Sequence, residues 1–272
     1  MRLFTALLPL LLAAFLASDA RAAVTLTTLH SFTGPEGANP FGLLQGRDGN
    51  FYGTALFGGE YEQGTLFSVS PEGSVNVLFS FDGTNGFDPN TLFRASDGNF
   101  YGTTAWGGPR FAAGGAGYGT FFKLTPDGSY TFLYWFHNTN GSWPTALIEA
   151  SDGNFYGTTA IGGPISSGFS GTIFKITRDG EHTMLVSFSG TNGFEPRSLM
   201  RATDGNFYGM TRAGTANAKN GTIFRAAPDG VLTSLFSFNG TTRILSTERP
   251  ILAAPTIWAR FSDSRSLQSR PC

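Results

Sequence analysis

Short apolar segments alternate with glycine-containing turns along most of the chain, and the alternation repeats. Leu43-Leu44 and Leu147-Ile148 each lead into an Asp-Gly turn, and an aromatic Asn-Phe-Tyr-Gly segment follows it. Asp-Gly between apolar segments predicts a β-hairpin, because glycine accepts the positive φ that the turn requires. Third strands are predicted over 65–69, 120–124, 172–176 and 222–226. A second turn follows each: Pro71-Glu72-Gly73, Pro126-Asp127-Gly128, Arg178-Asp179-Gly180 and Pro228-Asp229-Gly230. Where proline leads, it presets φ, and the glycine then releases the chain. Fourth strands are predicted over 75–81, 130–136, 182–188 and 232–238. Apolar residues adjoin rather than alternate, as in Leu66-Phe67 and Ile173-Phe174, which suits sheets covered on both faces.

Two phrases mark the period. Asp48-Gly49-Asn50-Phe51-Tyr52-Gly53 recurs at 97–102, 152–157 and 204–209, at steps of 49, 55 and 52 residues. Gly-Thr-apolar-Phe recurs at 64–67, 119–122, 171–174 and 221–224, and the distance from it to the next Asp-Gly-Asn is always 33 residues. All the length variation lies between the two phrases, which marks that segment as a loop free to grow on a fixed frame. Four short antiparallel strands in roughly 50 residues match the size of a propeller blade. The expected fold is therefore an all-β propeller of four-stranded antiparallel blades. Its repeat domain spans 23–242, with four complete blades at about 41–81, 90–136, 145–188 and 197–238. Leu29-His30-Ser31-Phe32 matches Leu78-Phe79-Ser80-Phe81, so the domain opens on an extra N-terminal strand of fourth-strand type. Closure of the ring stays open.

The repeated phrases resemble the Gloeobacter/Verrucomicrobia (GloVer) tandem repeat of "choice-of-anchor" secreted proteins, over roughly residues 26–242. A looser resemblance joins Asp-Gly-Asn-Phe-Tyr to the Asp-Gly-Asn-Leu-Trp segments of streptogramin-lyase-like and sensor-type β-propellers. The first resemblance implies an extracellular or surface location and no assigned chemistry. Its members often carry a C-terminal anchoring signal, and none is visible here. The second would imply a histidine and glutamate set with a metal, and no matching set can be placed in this sequence.

The two ends differ from the repeats. Residues 1–22 read as a signal peptide, with Arg2, an apolar run of 14 residues over 3–16, and Ala20-Arg21-Ala22 as the cleavage site. The run is shorter than the about 20 residues of a membrane span. The mature protein is thus expected to be secreted or at the cell surface, extracellular or periplasmic, with no membrane span after cleavage. An uncleaved anchor is the alternative. Cys272 is the only cysteine, so no disulfide forms within the chain. Residues 243–272 hold five arginines and no glycine. A degenerate fifth blade, a disordered tail and a truncated or frame-shifted repeat all remain open there. The change of composition favours a tail unlike the rest.

Composition and motifs narrow the function class. Glycine stands at 37 of 272 residues, about twice the usual share of roughly 7%, as many tight turns require. With 14% charged residues and a net charge of −1, no basic field exists for nucleic acid. There is no Gly-x-Ser-x-Gly and no His-Glu-x-x-His. Glu60, Glu62, Glu149 and Glu195 form no repeated carboxylate pair, and His30, His137 and His182 read as structural. One carboxylate per Asp-Gly-Asn falls short of the six to eight oxygens calcium takes. No catalytic residue, metal or cofactor is expected.

Turns of a meander alternate between its two ends, so the variable loops and the inter-blade links share one end. Tyr61, Trp106 and Phe169 from the loops, with Asn85, Asn140, Trp143 and Asn192 from the links, are the candidate ligand-binding residues there. Exposed rings stack on sugars and amides hydrogen-bond to them. The competing reading has the rings fill gaps between blades and the asparagines bond their own turns. A non-catalytic exported binding or structural scaffold, with a polysaccharide or an extracellular protein as partner, is the function these features favour. A propeller-type lyase or hydrolase working at the channel mouth is the alternative.

Overall fold

A computed structural model describes residues 25–164, 170–214 and 220–238. Residues 1–22, expected to be a signal peptide, Phe169 and residues 243–272 lie outside them. Four antiparallel sheets follow one another along the chain. The first holds β1 (Ala38–Gln45), β2 (Phe51–Phe57), β3 (Thr65–Val69) and β4 (Val75–Ser80). The second holds β5 (Phe87–Arg94), β6 (Phe100–Trp106), β7 (Thr120–Leu124) and β8 (Tyr130–Trp135). The third holds β9 (Ser142–Glu149), β10 (Phe155–Ile161), β11 (Thr172–Ile176) and β12 (His182–Ser187). In the fourth, a split first strand, β13 (Phe194–Pro196) and β14 (Met200–Arg201), precedes β15 (Phe207–Ala213), β16 (Thr222–Ala226) and β17 (Leu232–Ser237). The split arises where the Ser198 hydroxyl, rather than a backbone carbonyl, accepts the Met210 N–H at 3.0 Å. One helical turn, α1 (Pro109–Ala112), lies in the loop between β6 and β7. This is the all-β, propeller-type architecture that the repeat predicts.

The first strands reach further back than the apolar pattern suggests. Phe87 pairs with Trp106 and Ser142 with Ile161, so pairing continues through the link and past the proline. The ladder shifts register beside Pro89, a residue with no N–H to give it.

The two repeated phrases recur together because they pack on each other. Gly53 pairs with Phe67, Gly102 with Phe122, Gly157 with Phe174 and Gly209 with Phe224. A β-carbon on Gly157 would stand 2.4 Å from both Phe174 Cζ and the Ala146 carbonyl oxygen. Only glycine lets the phenylalanine lie across the strand.

The Asp-Gly-Asn turn is closed by its own tyrosine. Asp152 Oδ2 accepts from Tyr156 Oη at 2.8 Å and from Asn154 Nδ2 at 2.9 Å, while Oδ1 accepts the Asn154 N–H at 3.1 Å. The tyrosine bond recurs at Asp48–Tyr52, Asp97–Tyr101 and Asp204–Tyr208 at 2.8–3.0 Å. The carboxylates therefore close their own turns.

The first three of these tyrosines also pack on the phenylalanine of the next copy. Tyr52 meets Phe100, Tyr101 meets Phe155 and Tyr156 meets Phe207 at centroid distances of 4.3, 4.4 and 4.7 Å. These contacts stack the sheets in sequence order, with the aromatic core between them. Along the stack β1 touches β5 and β5 touches β9, which puts the first strands on the inner side.

Among the described residues the outermost faces are less covered. Leu147 and Leu199 are 6% and 8% exposed under the preceding sheet, whereas their counterpart Leu43 on the first sheet is 61% exposed. On the far face of the fourth sheet, Met200, Met210, Leu235 and Phe236 are exposed. The expected N-terminal strand is present in position but not in hydrogen bonding. Residues 25–33 form no regular strand, because no described residue offers them a ladder partner, yet Phe32 packs on Phe67 of the first sheet.

Candidate functional site

The inner strands all begin at the end where the variable loops emerge, and a shared backbone feature shapes that end. Asn39, Asp88, Trp143 and Glu195 each precede a proline and each has a left-handed φ, of 55°, 57°, 58° and 52°. Such a conformation costs a non-glycine residue about 1–3 kcal/mol and persists only where the surroundings fix it. Here the following proline, the strand pairing and a link glycine do so: Gly37, Gly86, Gly141 and Gly193 all have positive φ. One backbone pose thus displays a different side chain in each copy.

In the third copy that side chain is Trp143. Its N–H bonds the Tyr118 carbonyl at 3.1 Å, which ties the inner strand to the loop of the second sheet. Its indole lies 5.5 Å from that of Trp106, with the planes tilted by 32°. The Arg197 guanidinium sits 4.5 Å from the Trp143 ring centroid. Glu195 accepts from Arg197 Nη2 and from Arg212 Nη1, each at 2.9 Å. Burial works to raise the Glu195 carboxyl, but the guanidiniums of Arg212 and Arg197 overcome it and hold it below the usual carboxylate range. On the neighbouring loop Arg110, on α1, lies over the Tyr118 ring at 5.1 Å and donates to its Oη. The result is a half-exposed aromatic platform in two parts, Trp106–Trp143–Arg197 and Tyr118–Arg110, joined by the Trp143–Tyr118 backbone bond.

The other candidates fall in separate places. Asn85 Oδ1 accepts the Asp82 N–H at 3.1 Å, Asn140 Oδ1 the His137 N–H at 2.9 Å and Asn192 Oδ1 the Ser189 N–H at 3.0 Å. All three cap their own turns, and their carbonyls receive Thr120, Thr172 and Thr222 hydroxyls. Asn140 Nδ2 also donates to Tyr134 Oη at 2.5 Å. Tyr61 is exposed and shares a cleft of 400 Å³ with Asn85, Glu60, Asp82 and Phe79. The structure therefore joins Trp106 to Trp143 and Tyr61 to Asn85. Trp106 and Trp143 both stand in strands rather than in loop and link. Sequence reading passed over Arg197, Arg212 and the role of Glu195. A third phrase, Gly-x-x-Pro at 37–40, 86–89, 141–144 and 193–196, carries the signal for them.

A cavity of 390 Å³ opens on the outer face of the first sheet, among Leu29, His30, Phe32, Leu43 and Val75. It is apolar and offers no array of reacting groups. Among the described residues no three His, Cys, Asp or Glu side chains gather as a metal site. None of the described helices is long and apolar enough to cross a membrane.

The sequence model of the Gloeobacter/Verrucomicrobia repeat matches residues 18–168 and again 110–263. The chain belongs to this repeat family. No curated protein matches it. Solved structures of similar fold include a protein of unknown function from Dyadobacter fermentans (14% identity, TM-score 0.50, covering 72% of this chain and 67% of that one). Another is the extracellular domain of a protein assigned as a one-component system in B. thetaiotaomicron (12% identity, TM-score 0.51, covering 76% of this chain and 26% of that one). A luciferin-regenerating enzyme is also similar (13% identity, TM-score 0.49, covering 74% of this chain). The chain spans 62% of that enzyme's length, less than two thirds. At these identities the likeness speaks to the fold alone.

Proposed function

We propose that the protein is an exported, non-catalytic repeat scaffold that binds a polysaccharide at the loop end of its sheets. The observation that carries this reading is the row Trp106, Trp143 and Arg197, held half-exposed at the end where the repeats differ. Flat π-surfaces on a rigid frame bind sugar faces with little ordering cost. The apolar run at residues 3–16 supports export.

The test is a glycan array probed with the mature protein and with Trp143→Ala. Binding to at least one polysaccharide is expected, weakened about tenfold by the substitution, as loss of about 1.4 kcal/mol of stacking implies. Thermal unfolding of the variant should stay within a few degrees of wild type. An array blank for the well-folded wild type overturns the proposal.

A further inference from the structure

We infer that the polysaccharide bound at this platform is acidic, its sugar rings carrying carboxylates. The inference rests on the reading just given and adds the ligand's charge class. A platform for neutral sugar needs only rings and hydrogen-bonding groups. This one has two guanidinium–aromatic pairs. Arg197 covers Trp143 at 4.5 Å and Arg110 covers Tyr118 at 5.1 Å. The Tyr118 carbonyl and the Trp143 N–H, 3.1 Å apart, bind the two halves into one unit.

Neither guanidinium is a core group. The Arg197 side chain is 34% exposed, while the Glu195 carboxylate that holds it is only 12% exposed. Glu195 thus anchors from beneath, and the outer edge of Arg197 faces solvent. A guanidinium carries five N–H donors in a planar fork, of which the bond to Glu195 engages Nη2. The remaining edge suits a carboxylate, which it can grip through two parallel bonds. The ring beneath shields the cation from part of its water, which strengthens that grip. Glu195 belongs to the machinery as a positioning group. It stays ionised and holds Arg197 over Trp143.

The experiment is affinity electrophoresis and calorimetry of the mature protein with polygalacturonate and alginate, with the methyl ester of polygalacturonate, with dextran sulfate and with a neutral glucan. The expected result is binding to at least one polyuronate, at least tenfold weaker for the methyl ester, and weakening as salt is added. Arg197→Gln and Arg110→Gln should each lower polyuronate affinity about tenfold, and Arg197→Lys should restore little of it, since lysine lacks the fork. Equal affinity for the acid and its ester, or binding to the neutral glucan alone, overturns the acidic assignment and leaves the scaffold reading standing. Tighter binding to dextran sulfate than to either polyuronate overturns the carboxylate assignment. Failure of every polymer, with the array above also blank, overturns both readings.

Discussion

Phe32 lies edge-on to Phe67, their ring centroids 4.9 Å apart. The same contact joins Phe81 to Phe122, Phe136 to Phe174 and Phe188 to Phe224, at 5.7, 5.1 and 5.1 Å. In those three pairs the first ring follows the last strand of one sheet and the second belongs to the next sheet. A backbone match accompanies the ring contact. Glu36 occupies the place of Asn85, Asn140 and Asn192, its carbonyl accepting the Thr65 hydroxyl at 2.9 Å and its carboxylate the Thr33 N–H, also at 2.9 Å. Residues 29–37 thus reproduce the outgoing end of a preceding sheet.

Phe32→Ala should therefore destabilise the first sheet. Truncating a buried phenylalanine costs about 3–5 kcal/mol, and Phe32, only partly buried, should cost about 2 kcal/mol. Phe81→Ala, at a fully buried position, is the benchmark for the larger loss. Denaturant unfolding of the two variants checks the order. A Phe32→Ala protein as stable as wild type would show that the N-terminal segment adds nothing to the fold.

Gly157→Ala should be more damaging than an added methyl on a surface strand. The new β-carbon would meet the Phe174 ring and the Ala146 carbonyl at once, and overpacking of this kind costs about 1–3 kcal/mol. The double change Gly157→Ala with Phe174→Leu should recover part of the loss, because the smaller side chain vacates the space. Melting temperatures of the single and double variants decide it. Additive losses would mean that the two phrases recur for some other reason.

The strand count, the turns and the two-ended logic of the loops were readable because each rests on a local rule: Asp-Gly for the hairpin, a constant 33-residue block for the frame. The pairing of Trp106 with Trp143 was half readable, since both were placed at the loop end but not beside each other. Arg197 was invisible to that reasoning. Its role depends on the left-handed pose of Glu195 before Pro196, and a φ value leaves no mark on hydrophobic periodicity. The three asparagines show the converse. They repeat and face the right end, but their repetition reflects a turn that every copy must close.

Arg178→Met should loosen the second sheet from the third. Glu149 accepts the Ser96 N–H at 2.8 Å and the Ser96 hydroxyl at 2.7 Å, and it is also bonded by Arg178. Arg178 reaches Asp97 at 3.4 Å and the Gly153 carbonyl at 3.2 Å as well. Burial works against the Glu149 charge, and the Ser96 and Arg178 bonds outweigh it, holding the carboxyl below its usual range. Removing the cation should cost about 1–3 kcal/mol, the penalty of a half-satisfied carboxylate, and the loss should shrink as pH falls and the carboxyl takes a proton. Urea unfolding of wild type and variant at neutral and acid pH measures both effects.

His182 should make the fold sensitive to mild acid. Its ring stacks on Tyr134 at 4.7 Å with the planes 2° apart, and Phe136 and Phe174 close around it. Its Nε2 has no hydrogen-bond partner. Burial, with a smaller contribution from His137, pushes the imidazole from 6.5 down to about 4. Above pH 6.5 the ring is neutral in folded and unfolded chains alike, and its stacking stabilises the fold in full. Between pH 6.5 and about 4 the unfolded chain binds a proton that the folded one refuses, so stability falls as pH falls. The full loss is about 3 kcal/mol, reached below the folded value. His182→Phe keeps an aromatic ring on Tyr134 and removes the titration. Its unfolding free energy should change less than that of wild type between neutral pH and pH 4, and the difference of the two curves isolates the histidine from the carboxylates that titrate over the same range. Parallel curves for the two proteins would show that His182 takes up its proton as readily in the folded chain as in the unfolded one.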